Sequence, residues 1–329
     1  MDAPAPYPRL LGDIGGTHIR FGWIPGPGEG IVAREDFRWP EGAGLREAIA
    51  TYLDDRGRSR PLSCALAIAG PVSGDSVALT NRSGSFSIAA LQRDLGLDRL
   101  VVLNDFAALA LAIAQLAPED TRKVGGGGQV RGSPMAILGP GTGLGVAALI
   151  PTPTGQCTVS SEGGHASLCS SDATEDHLLS ILRRWFGHVS FERVLSGEGI
   201  VNLYRANCAL AGIEPASHDA AAVSALAAQG RDECCVAAID HFFGFLGTFA
   251  GNLALTFDAR GGVYLGGGIV PRLLERIESS SFRERFESKG RFRSHLERIA
   301  TSVIVDPSAA ALLGANQALE EPPRQPSPA

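Results

Sequence analysis

The chain has 329 residues, of which 44% are apolar and 19% charged, and its formal net charge is −6 at pH 7. This length exceeds one typical domain and allows a sizeable core, so we expect two domains. The acidic balance, without a long basic run, disfavours nucleic acid or an anionic membrane as the main partner. No apolar stretch of about 18 residues stands out, so we expect no membrane span.

The N-terminal residues and the cysteines indicate a compartment. Residues 1–6 contain neither the basic nor the apolar segment of a secretory signal. The six cysteines include no Cys-x-x-Cys pair, which disfavours a zinc ribbon or a thioredoxin-like site. We therefore expect a protein of the reducing cytoplasm.

The N-terminal part of the chain predicts a hairpin followed by alternating strands and helices. Residues 10–13 and 19–24 are its strands, because Gly15-Gly16 suits a turn that needs positive φ. Residues 1–8 and 319–329 are expected to be frayed ends. Further strands are expected at 31–37, 64–69 and 77–81, with helices at 45–53 and 88–95, the second capped by Ser87.

An apolar run near residue 100 ends in two polar residues. Residues 100–103 predict a buried strand, and the Ala- and Leu-rich sequence up to Leu116 predicts a helix. Asn104 and Asp105 lie at this junction, where ligand chemistry gathers in α/β folds. Both residue types are preferred helix N-caps, and taken alone they favour a capping role.

The second half of the chain alternates glycine-rich and helical sequence. Residues 118–132, which include Gly125 to Gly128, predict a domain junction or a mobile loop. Residues 135–150 are apolar and glycine-rich, and Pro271 suits the first turn of a helix. Helices are expected at 173–186, 199–211, 220–228, 233–255 and 309–319, and strands at 262–265 and 303–305.

A glycine turn between two strands occurs twice. Residues 11–22 contain such a turn with Thr17, and residues 138–147 repeat the plan with Thr142. Turns of this kind point backbone N–H groups at phosphate oxygens, and the threonines add hydroxyl donors. Asp13 precedes the first turn, where a carboxylate suits Mg²⁺. Two matched turns favour phosphate binding, although neither is a P-loop or a G-x-G-x-x-G motif.

Three further segments carry polar or flexible residues. Glu162 and His165 flank two glycines and suit the hydroxyls of a polar ligand, although a solvated loop is the simpler interpretation of this segment alone. Glu192, taken singly, is interpreted as a first-turn acid stabilised by a helix dipole. The glycines at 266–268 indicate either a nucleotide contact or close packing.

Six of these motifs occur in one order, from about Leu10 to about Leu319. Each is weak alone, but together they closely resemble the bacterial glucokinase family, which has the actin-like ATPase and sugar-kinase fold. The motifs are Asp13-Ile14-Gly15-Gly16-Thr17, Asn104-Asp105-Phe106, Gly141-Thr142-Gly143-Leu144-Gly145-Val146, Glu162-Gly163-Gly164-His165, Glu192-Arg193-Val194-Leu195-Ser196-Gly197 and Gly266-Gly267-Gly268-Ile269-Val270-Pro271-Arg272.

The resemblance implies a fold class and a reaction. The fold would be α/β, with two RNase H-like domains of the actin-like ATPase and hexokinase type and a cleft between them. Residues 1–117 and 307–329 would form the small domain, and residues 118–306 the large one. The reaction would be ATP-dependent phosphorylation of D-glucose at its 6-hydroxyl, giving glucose 6-phosphate and ADP at the entry to glycolysis. Mg²⁺ would accompany ATP, and the protein would be a homodimer.

The resemblance also implies roles for individual residues. Asp105 would be the general base. The residues at the sugar would be Asn81, Asn104, Asp105, Glu162, His165 and Glu192. The residues at ATP would be Gly12, Asp13, Ile14, Gly15, Gly16, Thr17, Gly141, Thr142, Gly143, Gly266, Gly267 and Gly268, with Mg²⁺ carried by ATP near Asp13 and no separate metal site.

Departures from the family pattern leave other functions open. His18 stands where relatives often carry Asn, and residues 82–85 lack an aromatic often found there, which leaves fine sugar preference undecided. A kinase for mannose or N-acetylglucosamine fits the spacing equally well. A sugar-responsive regulator is disfavoured because the few residues before Leu10 cannot form a helix-turn-helix. A sugar-independent ATPase would leave the Asn104-Asp105 and Glu162/His165 pairs without a purpose.

Overall fold

The structure, a computed structural model, describes residues 5–16, 18–39, 44–54, 57–70, 72–78, 84–153 and 155–321. By its internal contacts the chain divides into two compact units. Unit 1 comprises Met1–Leu116 and Asp306–Ala329, and unit 2 comprises Ala117–Val305. Each unit has its own sheet and its own apolar core.

In its described residues unit 1 contains a five-stranded sheet, a small antiparallel sheet and four helices. Its strands are β1 (Arg9–Ile14), β2 (His18–Ile24), β3 (Val32–Arg38), β4 (Ser63–Ile68), β5 (Val72–Ser73), β6 (Ser76–Ala78), β7 (Ser85–Ser87) and β8 (Arg99–Asn104). Its helices are α1 (Leu45–Asp54), α2 (Ile88–Leu95), α3 (Asp105–Ile113) and, at the end of the chain, α11 (Pro307–Glu320). The large sheet has the order β3-β2-β1-β4-β8, and the small sheet the order β5-β6-β7.

Unit 2 contains a six-stranded sheet and seven helices in its described residues. Its strands are β9 (Thr121–Gly125), β10 (Met135–Pro140), β11 (Leu144–Thr152), β12 (Gly155–Ser161), β13 (Val263–Leu265) and β14 (Thr301–Ile304), in the order β12-β11-β10-β13-β14-β9. Its helices are α4 (Ala173–Phe186), α5 (Gly197–Ala211), α6 (Ala220–Ala228), α7 (Glu233–Phe257), α8 (Leu274–Ser279), α9 (Phe282–Glu287) and α10 (Arg293–Leu296).

The two large sheets share one plan, which confirms the internal repeat expected from the glycine turns. In unit 1, β3, β2 and β1 are antiparallel neighbours, and β4 and β8 continue the sheet in parallel with β1. In unit 2, β12, β11 and β10 are likewise antiparallel, and β13 and β14 follow in parallel. In each unit the first strand of the hairpin, β1 or β10, therefore lies inside the sheet and joins the hairpin to the parallel strands, while β9 adds an antiparallel edge strand to unit 2 alone.

The chain ends of unit 1 are packed more firmly than the sequence predicts. Ala5 is buried, and its carbonyl oxygen accepts hydrogen bonds from the guanidinium of Arg9. Arg9 is itself fully buried, donates to the Asn316 side chain at 2.9 Å and pairs with Glu320 of α11. The expectation of fraying is therefore wrong for residues 5–8 and for 319–320.

The glycine run at 125–128 is also explained by packing. The sequence predicts a junction or mobile loop here, but Thr121–Gly125 forms β9, which pairs with β14. At Gly126, where φ is +82°, a Cβ would lie 2.0 Å from the Ile299 carbonyl oxygen. At Gly127 a Cβ would lie 2.6 Å from the Arg298 carbonyl oxygen. Only glycine permits this close approach of two backbone segments.

Helix α7 partly contradicts the expectation that no apolar stretch is long enough to span a membrane. Among the described residues it is the one helix whose length and composition would allow a membrane crossing, with a mean hydropathy of 1.4 over its most apolar window. Of that window, 78% is buried inside the structure, as in the core helix of a folded domain. Phe242, Phe243 and Phe249 of α7 lie in the core of unit 2.

Helix α7 contains two glycines that provide a matched stability test. A Cβ at Gly247 would lie 2.1 Å from the Phe282 carbonyl oxygen, whereas a Cβ at Gly244 would meet nothing closer than 3.4 Å. We expect Gly247→Ala to lower the free energy of unfolding by about 1–3 kcal/mol, because the clash with α9 outweighs the gain in helix propensity. Gly244→Ala should leave it unchanged or raise it by up to about 1 kcal/mol. Urea unfolding followed by circular dichroism measures both, and equal effects would contradict the packing argument.

Candidate active site

The junction of β8 and α3 places Asn104 and Asp105 side by side, both half-buried. Asn104 is the N-cap: its Oδ1 accepts hydrogen bonds from the amides of Phe106 at 3.0 Å and Ala107 at 3.2 Å. Its Nδ2 donates to the Gly70 carbonyl oxygen at 3.1 Å, which uses one of its two hydrogens. Because Asn104 supplies the cap, the Asp105 carboxylate is not needed for that purpose. Asp105 Oδ1 accepts from the Phe106 amide at 2.9 Å, which orients the carboxylate in the first turn.

The first glycine hairpin carries a chain of charges across three strands. Asp13 on β1 faces Arg20 on β2, which faces Asp36 on β3. Arg20 Nη1 donates to Asp13 Oδ2 at 3.0 Å, and Arg20 Nε donates to Asp36 Oδ2 at 2.8 Å. Arg20 is not predicted from the sequence, because a two-residue turn at Gly15-Gly16 would place His18 opposite Asp13, whereas the observed register pairs Asp13 with Arg20.

Burial and neighbouring charges have opposite effects on the pKa values of Asp13 and Arg20. Burial raises the pKa of Asp13 above its ordinary value, and the adjacent Arg20 guanidinium only partly offsets the effect. Burial would lower the pKa of Arg20, but the carboxylates of Asp13 and Asp36 outweigh it, so that pKa is raised. The pair is therefore an oriented carboxylate at the end of a strand, held by a permanently charged partner.

The other predicted residues in and before the first glycine turn differ in their packing and hydrogen bonding. Gly12 lies inside β1, where a Cβ would be 2.7 Å from the Leu66 side chain, so sheet packing alone requires glycine. Ile14 is buried in the core, while Gly15 and Gly16 are half-buried. The Gly15 amide donates to the His18 carbonyl oxygen at 2.9 Å and closes the turn. Thr17 and Asn81, both predicted site residues, lie outside the described residues.

Unit 2 brings its two glycine segments into backbone contact. Gly141–Gly143 joins β10 to β11, and the Gly141 amide donates to the Gly143 carbonyl oxygen at 2.8 Å. Gly266–Gly268 follows β13, which is parallel to β10. At Gly267, where φ is +72°, a Cβ would lie 2.4 Å from the Pro140 carbonyl oxygen. Thr142 and Gly268 are exposed at the ends of these adjoining turns.

Three predicted sugar residues lie together in unit 2, and we call them the acid–imidazole cluster: Glu162, His165 and Glu192. His165 Nε2 lies 4.0 Å from Glu162 Oε2, and His165 Nδ1 lies 3.8 Å from Glu192 Oε1. Glu162 and His165 are exposed and Glu192 is half-buried. Such a group offers both acceptors and an imidazole nitrogen to a polyhydroxylated ligand.

Short turns packed on the sheet hold this cluster. The turn Gly163–His165 approaches β11 so closely that a Cβ at Gly164 would lie 2.2 Å from the Leu144 carbonyl oxygen. Glu192 lies in the turn Phe191–Arg193, whose Phe191 ring stacks on Phe249 of α7 at 4.3 Å between centroids. The exposed groups of the cluster therefore stand on a rigid, buried base.

A buried ion pair fixes the chain that leads from His165 to α4. Glu175 is almost fully buried, and its two carboxylate oxygens accept from Arg285 at 2.6 and 3.0 Å. Glu175 Oε2 also accepts from the Ser171 amide at 2.7 Å, and Arg285 donates to the Ser171 hydroxyl at 2.7 Å. The pair thus ties the end of this loop to α4 and α9.

Within the part of the chain that the structure describes, no group of three or more His, Cys, Asp or Glu side chains is arranged to hold a metal ion. Mg²⁺ at a nucleotide site is usually held by one or two carboxylates together with phosphate oxygens. The oriented carboxylate of Asp13 fits that type of site.

The hairpin-led sheet of each unit and the adjoining glycine turns define an α/β kinase of the actin-like sugar-kinase fold. Solved structures share it. A glucokinase from an Antarctic psychrotroph has a TM-score of 0.85 and 36% identity, covering 95% of this chain and 98% of its own. A Balamuthia mandrillaris glucokinase, solved with glucose, has a TM-score of 0.77 at 21% identity, covering 95% of this chain and 93% of its own. A ROK-family glucokinase from Streptomyces griseus, solved with glucose and AMPPNP, has a TM-score of 0.64 at 20% identity. The match covers 95% of this chain and 99% of that glucokinase.

Sequence comparison gives the family. The model of the Glucokinase family matches residues 10–322. The glucokinase of Aromatoleum aromaticum is 47% identical over 95% of this chain and 95% of its own length. The glucokinase of Chromobacterium violaceum is 46% identical over 92% of this chain and 86% of its own. The chain belongs to the glucokinase family and is an enzyme of that family.

The buried pair behind the cluster can be tested against a surface pair. We expect Glu175→Ala to lower the free energy of unfolding by about 3 kcal/mol, because it removes the buried carboxylate that accepts two hydrogen bonds from Arg285 and leaves that partly buried charge with only the more distant Asp172, at 3.9 Å. Asp240→Ala is the control, since Asp240 pairs with Arg276 at 2.8 Å on the exposed surface. It should change stability by no more than about 1 kcal/mol. Chemical unfolding of both variants measures these changes. Similar losses of stability in the two variants would contradict a special role for Glu175.

Proposed function

We propose that the protein transfers the γ-phosphoryl group of ATP to the 6-hydroxyl of D-glucose, giving glucose 6-phosphate and ADP. The observation that carries the proposal is the 47% identity to a curated glucokinase over nearly the whole of both chains. The acid–imidazole cluster and the glycine turns of unit 2 support it, because they offer the groups that a sugar and a polyphosphate require.

The sugar is neutral and rich in hydroxyls, so it is held by hydrogen bonds. Glu162 and Glu192 accept from sugar hydroxyls, and His165 between them contributes a ring nitrogen. Asn104 has one carboxamide hydrogen beyond the one that Gly70 receives, and this hydrogen donates to a sugar oxygen. Asn81 adds a further contact near the sugar.

Asp105 is the general base. Its carboxylate takes the proton of the 6-hydroxyl as that oxygen forms a bond to the γ-phosphorus. The bond between the γ-phosphorus and the bridging oxygen breaks, ADP leaves with that electron pair, and Asp105 returns its proton to solvent. Phosphoryl transfer depends mainly on positioning and charge stabilisation. The hydrogen bond from the Phe106 amide to Asp105 Oδ1 supplies part of that positioning.

The glycine turns bind the nucleotide. Gly15, Gly16 and Thr17 of the first turn and the Gly141-Thr142-Gly143 turn contact the phosphates, and Gly266 to Gly268 lie by the nucleoside. Gly12 and Ile14, which are buried, support the first turn from within β1. Asp13 would hold Mg²⁺ directly or through water, and Mg²⁺ neutralises charge on the phosphate oxygens when bound. Arg20 keeps Asp13 oriented by its 3.0 Å hydrogen bond.

The resemblance to bacterial glucokinases supports three further proposals. The protein acts as a homodimer, works in the cytoplasm, and feeds glucose into glycolysis. Size-exclusion chromatography with light scattering tests the first: a mass of twice the 34.3 kDa chain is expected, and a monomer at micromolar concentration would contradict it.

A sugar panel in a coupled ADP-release assay tests the reaction. We expect ATP turnover with glucose, and none without sugar. Stronger turnover with mannose or N-acetylglucosamine would replace glucose by another hexose, while turnover without sugar would refute a sugar kinase.

Asp105→Asn tests the general base. The carboxamide oxygen can still accept from the Phe106 amide, so we expect the fold and glucose binding to persist. Loss of proton acceptance should lower kcat by about 10²- to 10⁴-fold. Asp94→Asn is the control, since Asp94 lies on the surface 3.8 Å from Arg46 and should leave kcat unchanged. Near-normal kcat in Asp105→Asn would refute the assignment.

A further inference from the structure

We propose that Glu192 couples sugar binding to nucleotide binding inside unit 2, because one carboxylate serves both the acid–imidazole cluster and the phosphate turn. The inference rests on the proposed function, since it takes the cluster as the sugar site and the Gly141–Gly143 turn as a phosphate site. It adds that each ligand raises the affinity for the other through this side chain.

The two carboxylate oxygens of Glu192 face different groups of the protein. Oε1 faces His165 Nδ1 at 3.8 Å, on the side of the cluster. Oε2 accepts a hydrogen bond from the Leu144 amide at 2.8 Å. Leu144 is the residue that directly follows the Gly141–Gly143 turn and begins β11. The carboxylate therefore bridges the cluster and the first amide beyond the turn.

Backbone contacts make the bridge stiff. The Gly197 amide donates to the Gly141 carbonyl oxygen at 2.9 Å, and the Ser196 hydroxyl donates back to the Glu192 carbonyl oxygen at 2.9 Å. The segment from Glu192 to Gly197 thus lies along the turn. At Gly143 a Cβ would be 2.6 Å from Glu192 Oε2, so a side chain at this position of the turn would displace the carboxylate.

This arrangement has a thermodynamic consequence. A hydrogen bond from a backbone amide to a carboxylate is stronger than a neutral one and holds the turn in one conformation. A sugar that binds Oε1 restrains the same carboxylate, so part of the cost of ordering the turn is met before the nucleotide arrives. Coupling of binding free energies is reciprocal, so a nucleotide on the turn must strengthen sugar binding equally.

Isothermal titration calorimetry with glucose alone and with AMPPNP–Mg²⁺ alone tests the proposal. A residue that only binds sugar would leave the AMPPNP Kd untouched. We expect Glu192→Ala to raise the Kd of both ligands, each by about tenfold or more, the scale of a lost hydrogen bond to a charged group. Glu192→Gln should recover much of the AMPPNP affinity, because its amide oxygen can still accept from Leu144. With wild-type protein, saturating glucose should lower the AMPPNP Kd, and Glu192→Ala should abolish that shift.

Matched variants on each side of the bridge separate coupling from ordinary contact. Glu162→Gln lies in the cluster but away from the turn, so it should raise only the glucose Kd. Gly143→Ala pushes against Glu192, so it should weaken glucose binding even without nucleotide. Gly128→Ala is its control, because a Cβ there meets nothing within 4 Å and should leave the glucose Kd unchanged.

Two results overturn the coupling. One is a wild-type protein that binds both ligands while Glu192→Ala changes the glucose Kd alone. The other is a Gly143→Ala variant with the same glucose Kd as Gly128→Ala. Failure of the proposed function gives a different result, in which wild-type protein binds no glucose at any concentration tested.

Discussion

Contact between backbone segments without intervening side chains is the constraint on which unit 2 depends. The strand β10 and the turn after β13 meet at Gly139 and Gly267, where a Cβ on either residue would lie less than 3 Å from the backbone of the other segment. Because β10 and β13 are parallel neighbours, their ends reach the same edge of the sheet. The close approach turns two separate glycine segments into one surface of exposed backbone, and a surface of that kind can bind an anion without a lysine.

The two units use the same hairpin in different ways. In unit 1 the polar partner of the turn comes from within the sheet, since Arg20 faces Asp13 across the hairpin. In unit 2 it comes from a distant segment, since Glu192 reaches the Leu144 amide from the turn before α5. A duplicated fold thus carries an acid held by an arginine in one copy and an acid held by a backbone amide in the other. The two units share the order of the hairpin and parallel strands, while the acid beside the turn and the group that holds it differ between them.

Local signals in the sequence were sufficient for elements that carry their own caps or apolar patterns. Helix α2 was predicted with its observed bounds, because Ser87 caps its start and Gly96 ends it in the left-handed conformation. Strand β12 and helix α9 were missed because their sequences are largely polar or charged. Helix α9 is stabilised by tertiary contact with the glycine positions of α7, and no local pattern reports such a contact.

The residues of the candidate site also differ in whether a local sequence pattern predicts them. The two glycine turns could be predicted, because a glycine turn between strands is a local pattern. The cluster of Glu162, His165 and Glu192 could be assembled only through the family resemblance, because a long stretch of chain separates Glu192 from His165. The pairing of Arg20 with Asp13 and the link from Glu192 to Leu144 both required coordinates, because a two-residue turn at Gly15-Gly16 would place His18 opposite Asp13.

The junction of β8 and α3 shows why two polar residues in sequence need not share one purpose. A helix that begins at the end of a parallel strand needs an acceptor for its first amides, and Asn104 meets that need with a single oxygen. Its nitrogen binds the Gly70 carbonyl oxygen, so the residue also secures the neighbouring segment. Because the neutral amide of Asn104 caps the helix and anchors the neighbouring segment, the next residue, Asp105, can carry a charge at the start of α3. An acid placed there by a buried, apolar helix has a fixed direction, which is what a proton acceptor for a bound hydroxyl requires.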